Sequence, residues 1–204
     1  MIKTILWDFD GVILDSMKIK GDGFIELFQN YDSKYTKEIE KYHYANGGIS
    51  RFDKIRYFYN KILKIEILED KVLDLSNNFA KIIEHKLNDK NNLINETIEF
   101  IKSNYQKYNF HIVSGAEHYE LNNLCDSFEL TQYFISIHGS PIHKNDLVKY
   151  IIEKYKYSTD ETILIGDAMT DYNASVKNGI EFYGYNNIEL KIFNYIDSFD
   201  RFII

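Results

Sequence analysis

Apolar residues gather in short, uninterrupted runs that are typical of buried β-strands. Each run is four or five residues long, rich in β-branched or aromatic side chains, and followed closely by Asp, Ser or Gly. Because continuous apolar character suits strands covered on both faces, the runs predict a parallel sheet. In chain order they span residues 3–7, 110–113, 133–137, 162–165 and 181–185.

Helical spacing fills the intervals between these runs. Residues 96–107 and 145–155 both place apolar side chains three or four positions apart, as Leu147 and Ile151 illustrate. Strands that alternate with helices predict an α/β fold with a doubly wound parallel sheet. In such sheets ligands bind at the carboxyl ends of the strands, so the polar residues that follow a strand become candidates for function.

One long stretch, residues 17–90, breaks this alternation because its apolar patterns are helical throughout. Ile55 and Ile62, two helical turns apart, are an example. About seventy residues are too many for an ordinary strand-to-helix connection. The sequence therefore predicts two domains: a core made of residues 1–16 and 91–204, and a helical insert between them.

Composition limits the possible partners and locations. A net charge of −7 and a pI near 5.4 argue against a nucleic-acid-binding surface. No apolar run approaches the roughly 18 residues of a membrane helix, and Asp8 cuts the first run short, so we expect neither a membrane span nor a secretory signal. The single cysteine, Cys125, cannot form an internal disulfide, which favours a reducing, cytoplasmic location.

The first candidate site follows the first predicted strand. Asp8 and Asp10 stand two residues apart, with Gly11 directly behind them. Two carboxylates at this spacing bring their oxygens near one point at the end of the strand. The alternative is a plain surface turn, because Asp and Gly also favour turns.

Two further positions carry groups suited to anions. Ser114 and Gly115 follow the second predicted strand, and a small hydroxyl beside successive backbone N–H groups forms a pocket for phosphoryl oxygens. Lys144 stands where a helix should begin, and its charge opposes the helix dipole unless an anion binds there. Taken singly, a loop serine and a solvated lysine are the alternatives.

A second pair of carboxylates, Asp167 and Asp171, follows the strand predicted over residues 162–165. Hard oxygen ligands of this kind suit Mg²⁺. Helix capping by either aspartate is the alternative. Four polar groups that each follow a different element of one sheet nevertheless indicate a single site at its carboxyl edge.

These motifs resemble, across essentially the whole chain, those of the haloacid dehalogenase-like superfamily of phosphohydrolases. The insert resembles the helical cap of the branch that includes phosphoglycolate phosphatase and β-phosphoglucomutase. The resemblance implies a Rossmann-like core and a nucleophilic Asp8 that forms an aspartyl-phosphate, with Asp10 as general acid and then general base. It also argues against dehalogenation, because dehalogenase-type members lack an acid at the position of Asp10.

The resemblance further implies Mg²⁺ as the cofactor. Its expected ligands are Asp8, the backbone carbonyl of Asp10 and Asp167, with Asp171 as a ligand or an orienting group. The phosphoryl oxygens would be bound by Ser114, the amide of Gly115 and Lys144.

Specificity is expected from the insert, since the core residues bind only phosphate and metal. Arg51 and Lys54 share one face of a predicted helix that Ser50 would cap, where they could meet an anion or a hydroxyl of the substrate. Solvated charges on a capped helix are the alternative. His43 and Tyr44 are weaker candidates for contact with the substrate.

The interpretation that follows is a Mg²⁺-dependent phosphatase acting on a small phosphorylated metabolite, such as a sugar phosphate or a similar phosphomonoester. A phosphosugar mutase of the β-phosphoglucomutase type is an alternative, because it uses the same two aspartates. A nucleotidase would need stacking aromatics in the insert, and a non-catalytic protein on the same fold would not need the intact carboxylates. The sequence predicts no oligomeric state.

Overall fold

The computed structural model describes residues 1–202 and contains a six-stranded sheet whose strands pair in parallel. In chain order the strands are β1 (Thr4–Trp7), β2 (Asn109–Glu117), β3 (Ser136–Ser140), β4 (Thr162–Gly166), β5 (Glu181–Tyr185) and β6 (Tyr195–Ile196). Their order across the sheet is β3–β2–β1–β4–β5–β6. Residues 203–204, the last two of the predicted core, lie outside the described part of the chain.

Helices cover both faces of this sheet. In chain order the α-helices of residues 1–202 are α1 (Met17–Leu27), α2 (Ser33–Ala45), α3 (Arg51–Tyr57), α4 (Glu69–Leu87), α5 (Asn95–Asn104), α6 (His118–Ser127), α7 (Lys144–Tyr155) and α8 (Met169–Asn178). Helices α5 and α6 lie against one face and α7 and α8 against the other. The predicted doubly wound α/β fold is confirmed.

The alternation of side chains along β1 explains why two layers are needed. Ile5 and Trp7 point into one apolar cluster and Leu6 into the other, and all three are fully buried. Successive side chains of a strand point to opposite faces, so a strand that is apolar at every position needs cover on both sides. The sheet therefore has two apolar cores, one under each helical layer.

The sheet order places a topological switch point beside β1. The chain runs outward from β1 through β2 to β3, then returns to the other side of β1 with β4 and continues to β6. Adjacent loops leave the carboxyl ends of β1 and β4 in opposite directions, which opens a crevice where ligands bind in such sheets. Asp8 follows β1 and Asp167 follows β4, so both lie at this crevice.

Strand bounds differ from the prediction at the β3 edge. The run predicted over residues 133–137 begins too early, because Thr131–Tyr133 is a short 3₁₀ turn and the strand spans Ser136–Ser140. Phe134 supplied the apolar signal, yet it is buried beside the turn and precedes the strand. The edge position of β3 also allows polar residues such as His138 within the strand, which the apolar pattern misses.

Residues 17–87 form four helices, α1 to α4, with a π-helical turn at Phe58–Leu63 between α3 and α4. Aromatic rings fill the space between them, including Phe28 stacked on Phe58 with ring centroids 3.7 Å apart. Leu14 pairs with Leu93, so the two connections to the helical insert run side by side. We use "cap" below for residues 17–90, whose limits as a domain stay a prediction.

Among residues 1–202, no helix has both the length and the apolar character needed to cross a bilayer.

Candidate active site

Carboxylates converge in the crevice beside β1. Oxygens of Asp8, Asp167 and Asp171 all lie within 4.8 Å of one another. Gly11 makes this approach possible, since its φ of +76° is a left-handed conformation and a Cβ there would come within 2.0 Å of Asp167 Oδ2. The loop after β1 can therefore pass directly beside the loop after β4.

Lys144, the first residue of α7, ties two of these carboxylates together. Its Nζ lies 2.8 Å from Asp8 Oδ1 and also donates to Asp171 Oδ1. Asp171 Oδ2 accepts the backbone N–H of Ala168 at 3.0 Å, so this aspartate also holds the start of α8. The predicted capping role and the predicted site role of Asp171 thus coexist in one side chain.

Asp8 combines an anchored oxygen with a free one. Oδ1 accepts the backbone N–H of Phe9 at 2.8 Å in addition to Lys144, which fixes the orientation of the carboxylate. Oδ2 is buried and has no hydrogen-bond partner within residues 1–202. A buried oxygen without a partner is unfavourable unless the site serves a ligand or a reaction.

The crowding of charge shows in the pKa values. Burial, followed by the repulsion of Asp171, raises the pKa of Asp8 to about 7, although Lys144 acts in the opposite direction. Burial and the negative charge of Asp8 likewise raise the pKa of Asp167 well above its usual value. For Lys144, the attraction of Asp171 and Asp8 outweighs burial and raises the pKa. The site is short of positive charge.

This donor set fits a divalent metal ion. Three carboxylates within 4.8 Å supply hard oxygen ligands, and the unpartnered Oδ2 of Asp8 is available for one more bond. A dication would also offset the repulsion that raises the pKa of Asp8. The side chain of Asp10 lies outside this cluster, so only its backbone carbonyl stays a predicted ligand.

Ser114 and Gly115 lie within β2, which extends to Glu117 beyond its predicted end. Ser114 is fully buried, and its Oγ accepts the N–H of Ala116 at 3.1 Å. A Cβ on Gly115 would meet the carbonyl oxygen of Gly48, in the cap, at 2.1 Å. Glycine at 115 therefore lets the cap lie directly against the phosphate pocket predicted at this strand.

The carboxylate of Asp10 is held apart from the other aspartates by residues at the entrance to the cap. Lys20 Nζ donates to Oδ2, and Ser16 Oγ donates to Oδ1 at 2.5 Å. Burial opposes ionisation, but Lys20 and Ser16 outweigh it and lower the pKa of Asp10. In this arrangement Asp10 is a carboxylate.

Lys20 is the main feature that the sequence reasoning missed. It comes from α1, one helical turn after Ser16, and both contact the same carboxylate. That i, i+4 spacing behind the Asp8–Asp10 motif is a signal in the sequence, yet a lysine on a helix usually extends into solvent. Its contact with Asp10 depends on how α1 packs, which the pattern does not give.

Arg51 and Lys54 are both buried, which excludes the alternative of solvated charges. Arg51 donates to Glu120 of α6 and lies over the ring of Phe79 at 5.1 Å. Lys54 instead contacts His43, with 3.0 Å between Nζ and Nδ1. The predicted pair therefore separates into an ion pair between cap and core and a lysine within the cap.

Ser50 caps α3 as predicted, with its Oγ accepting the N–H of Asp53 at 3.2 Å. Tyr44 does not line the small cavity that lies beside Asp10, and 47 % of its surface is exposed. His43 lines that cavity and is almost fully buried.

Spaces of different size lie between cap and core. A cavity of about 30 Å³ lies next to Asp10 and is lined on the cap side by Lys20, His43 and Lys54. It has room for about one or two water molecules. A separate cleft of about 320 Å³ opens beside it, along Gly48 and Lys144. A third space, of about 460 Å³, lies between Gly47 of the cap and Asp167 of the core.

Comparison with known families gives one match that spans residues 5–185, to the model described as haloacid dehalogenase-like hydrolase. No curated protein matches the sequence significantly.

Solved structures share the fold at low sequence identity. A predicted phosphatase from Clostridium acetobutylicum is 18% identical, with a TM-score of 0.79, and the match covers 98% of this chain and 95% of that one. A β-phosphoglucomutase from Clostridium difficile is 16% identical, with a TM-score of 0.76 and coverage of 100% and 94%. The HAD-hydrolase YfnB from Bacillus subtilis, solved bound to magnesium, is 18% identical, with a TM-score of 0.71 and coverage of 98% and 96%.

Proposed function

This chain belongs to the haloacid dehalogenase-like hydrolase family, and from that premise we propose that it is a Mg²⁺-dependent phosphatase of a small phosphomonoester. The reaction would pass through an aspartyl-phosphate on Asp8. The observation that carries the proposal is the state of Asp8 at the switch point of the sheet. One oxygen is fixed by Lys144 and Phe9, and the other is buried with no hydrogen-bond partner in the described part of the chain.

Asp8 has the features of a nucleophile. Attack by Oδ2 on phosphorus forms a phosphorus–oxygen bond, and the ester oxygen leaves with the electron pair of the bond that breaks. Anchoring of Oδ1 keeps the attacking oxygen in one orientation, and positioning of this kind is a large part of catalysis of phosphoryl transfer. Water then attacks the same phosphorus and releases phosphate and the free Asp8 carboxylate.

Ser114, the amide of Gly115 and Lys144 would bind the phosphoryl oxygens. Ser114 and Lys144 are buried, so their interactions with an anion would be little screened by water. Lys144 already lies between Asp8 and Asp171, which places its charge beside the point of attack. The burial of these groups supports the pocket predicted from the sequence.

Asp8, the backbone carbonyl of Asp10 and Asp167 would hold Mg²⁺, with Asp171 nearby as a ligand or an orienting group. When bound, the ion offsets the negative charge of nucleophile and phosphate so that the two can approach. Support for this assignment comes from the buried acidic cluster and the raised pKa of Asp8. The structure of YfnB bound to magnesium, on a similar fold, adds to it.

Asp10 would serve as general acid and then as general base. As a carboxylate held by Lys20 and Ser16 it is ready to accept a proton from the attacking water. Donation to the leaving oxygen requires the protonated form, and the negative charge of a bound phosphate favours that form. The two halves of the reaction therefore use opposite charge states of one side chain.

The cap would open to admit substrate and close for chemistry. The cavity of about 30 Å³ beside Asp10 is too small for the departing part of a phosphomonoester, so binding that part there would require contacts between cap and core to break. Interdomain movement is described for the magnesium-bound YfnB protein, which agrees with this proposal. A cytoplasmic location is part of the proposal and rests on the single buried cysteine.

A phosphosugar mutase is the second candidate, because the burial of Asp8 would keep bulk water from the aspartyl-phosphate. A mutase must return the phosphoryl group to a sugar hydroxyl before water takes it. Product analysis separates the two reactions: a phosphatase releases inorganic phosphate, and a mutase produces an isomeric sugar phosphate.

The test is release of inorganic phosphate from a panel of small phosphomonoesters, with Mg²⁺ and with EDTA. We expect metal-dependent release from a few related compounds, and none from the Asp8→Asn variant. Absence of phosphate release and of isomerisation across the panel would contradict the proposal and favour a non-catalytic protein on this fold.

A further inference from the structure

The cavity beside Asp10 is rich in cationic groups. We call its cap side the cap recess, defined by Lys20, Phe24, His43, Lys54 and Phe79. Arg51 also lines the cavity, so three cations surround a space that holds only one or two water molecules. Which of them already has an anionic partner decides what the cavity can bind.

Two of the three cations are neutralised within the protein. Lys20 is paired with Asp10, and Arg51 is paired with Glu120. The side chains of both pairs are at most 14% exposed, so each pair is largely screened from water and from other ions. Neither pair leaves a positive charge for a ligand in this arrangement.

Lys54 has no such partner. The residue is only 4% exposed, and no carboxylate among residues 1–202 forms an ion pair with it. Asp10 and Asp167 attract it only at longer range, and burial together with the positive charge of Lys20 lowers the pKa of Lys54 to about 7. An isolated cation buried in this way is strongly unfavourable unless something in its working state compensates it.

His43 orients Lys54 without neutralising it. His43 Nε2 lies 2.9 Å from the carbonyl oxygen of Met17, and a carbonyl can only accept, so Nε2 carries the proton. Nδ1 is then a bare acceptor, and it receives a proton of Lys54 at 3.0 Å. Burial lowers the pKa of His43 to about 3, so the imidazole stays neutral and adds no charge of its own.

The remaining lining of the recess offers little to a neutral, hydroxyl-rich group. Phe24 and Phe79 are almost fully buried, and their rings pack against each other at a tilt of 32° with centroids 4.3 Å apart. Lys54 Nζ lies 6.0 Å from the centroid of Phe24, so apolar surface adjoins the ammonium group. A low local polarity strengthens the attraction of Lys54 for a single negative charge.

We propose that Lys54, held in place by His43, is a specificity-determining residue that binds a second anionic group on the departing part of the substrate. The substrate class is then a small phosphomonoester that also carries a carboxylate or a second phosphate close to the ester, rather than a neutral alcohol phosphate. This inference rests on the proposed function, since it assumes that the ester oxygen lies at Asp10.

The experiment compares kcat/KM for four matched esters: propyl, hydroxypropyl and carboxyethyl phosphate, and ethylene glycol bisphosphate. The enzymes are the wild type, Lys54→Met, Lys54→Arg and, as a control on the exposed face of α2, Lys41→Met. We expect the wild type to prefer one or both anionic esters over propyl phosphate by about 10- to 100-fold, as a hydrogen bond to a charged group would give. The carboxylate and bisphosphate arms show which anion is recognised.

Loss of that preference in Lys54→Met, with its retention in Lys54→Arg and Lys41→Met, would support the inference. The ratio of the wild-type kcat/KM values for the anionic esters and propyl phosphate tests the inference by itself. The test therefore stands even if a variant fails to fold. Equal kcat/KM for propyl and both anionic esters, a preference for hydroxypropyl phosphate, or an equal loss on all four esters in Lys54→Met would overturn it. No turnover of any ester, or of p-nitrophenyl phosphate, would instead overturn the proposed function and the inference with it.

Discussion

The two halves of the site differ in how their charges are arranged. On the core side, Asp8, Asp167, Asp171 and Lys144 stand at strand ends and helix starts of one sheet, and negative charge is in excess. On the cap side the charged groups that line the cavity are cationic and lie on helices, and Lys54 has no anionic partner among residues 1–202. The core half is short of positive charge and the cap half is short of negative charge.

That difference separates two tasks. A bound metal ion would supply the positive charge that the core half lacks, and the phosphoryl group that binds there is common to every substrate. The negative charge that the cap half lacks would come from the departing part of the substrate, which differs from one substrate to another. Changes on the core side should therefore affect all substrates alike, whereas changes on the cap side should affect some substrates, or the closure of the cap, more than others.

The largest effect is expected from removal of the proposed nucleophile on the core side. Asp8→Asn should lower kcat by on the order of 10⁴-fold or more, because an amide oxygen is a poor nucleophile and the covalent route is lost. Phosphate release from several unrelated esters measures it. Asp15→Asn is the matched control, since Asp15 lies in the same segment but is exposed. Substantial activity in Asp8→Asn would exclude Asp8 as nucleophile.

Metal removal should also affect all substrates alike. EDTA should abolish activity and Mg²⁺ should restore it, and Mg²⁺ at about 100 times its dissociation constant should raise the free energy of unfolding by about 2.7 kcal/mol. Denaturant titration with and without Mg²⁺ measures the second effect. The stabilisation should vanish in Asp167→Asn and persist in Asp15→Asn. Activity unchanged in chelator would contradict the metal site.

Substitution of two arginines of α3 compares a buried ion pair of the cap with more exposed ones. Arg51→Met should lower the free energy of unfolding by about 3 kcal/mol, because it leaves Glu120 buried and unpaired. Arg56→Met should lower it by less than about 1 kcal/mol, since Arg56 is an exposed partner of Asp53 and Glu69.

Urea unfolding of these variants provides the measurement. In the double variant Arg51→Met with Glu120→Gln, most of the lost stability should return, because the unpaired charge is gone. Equal effects of the two arginine substitutions would show that the pair between cap and core is not buried in solution.

Substitution of Lys54 should change the free energy of unfolding by less than Arg51→Met does. Its pKa is about 7 in the folded protein against an ordinary 10.5, so the unfolded chain binds more protons between these values and stability rises with pH there. Lys54→Met removes this term and should be about 1–2 kcal/mol more stable than the wild type below pH 7. The difference should shrink as the pH rises from 7 toward 10, which unfolding curves at several pH values can follow. A difference that does not change with pH would contradict a buried, charged Lys54.

The core residues could be predicted from the sequence because topology alone brings them together. Asp8 follows β1 and Asp167 follows β4, and any doubly wound sheet of this order places those strand ends at one crevice. The cap contacts depend on helix packing, which has no comparable rule. Arg51 has a partner 69 positions away in α6, and Lys20 meets Asp10 only because α1 packs as it does.

In the proposed reaction Asp8 carries the phosphoryl group during turnover. The most direct measurement is the mass of the acid-quenched Asp10→Asn variant after incubation with p-nitrophenyl phosphate and Mg²⁺. Nitrophenolate leaves without a general acid, whereas loss of the general base slows attack by water, so the intermediate should accumulate. We expect one added phosphoryl group, on the peptide that contains Asp8. Release of nitrophenolate with no added phosphoryl group, or with the group on another residue, would contradict it.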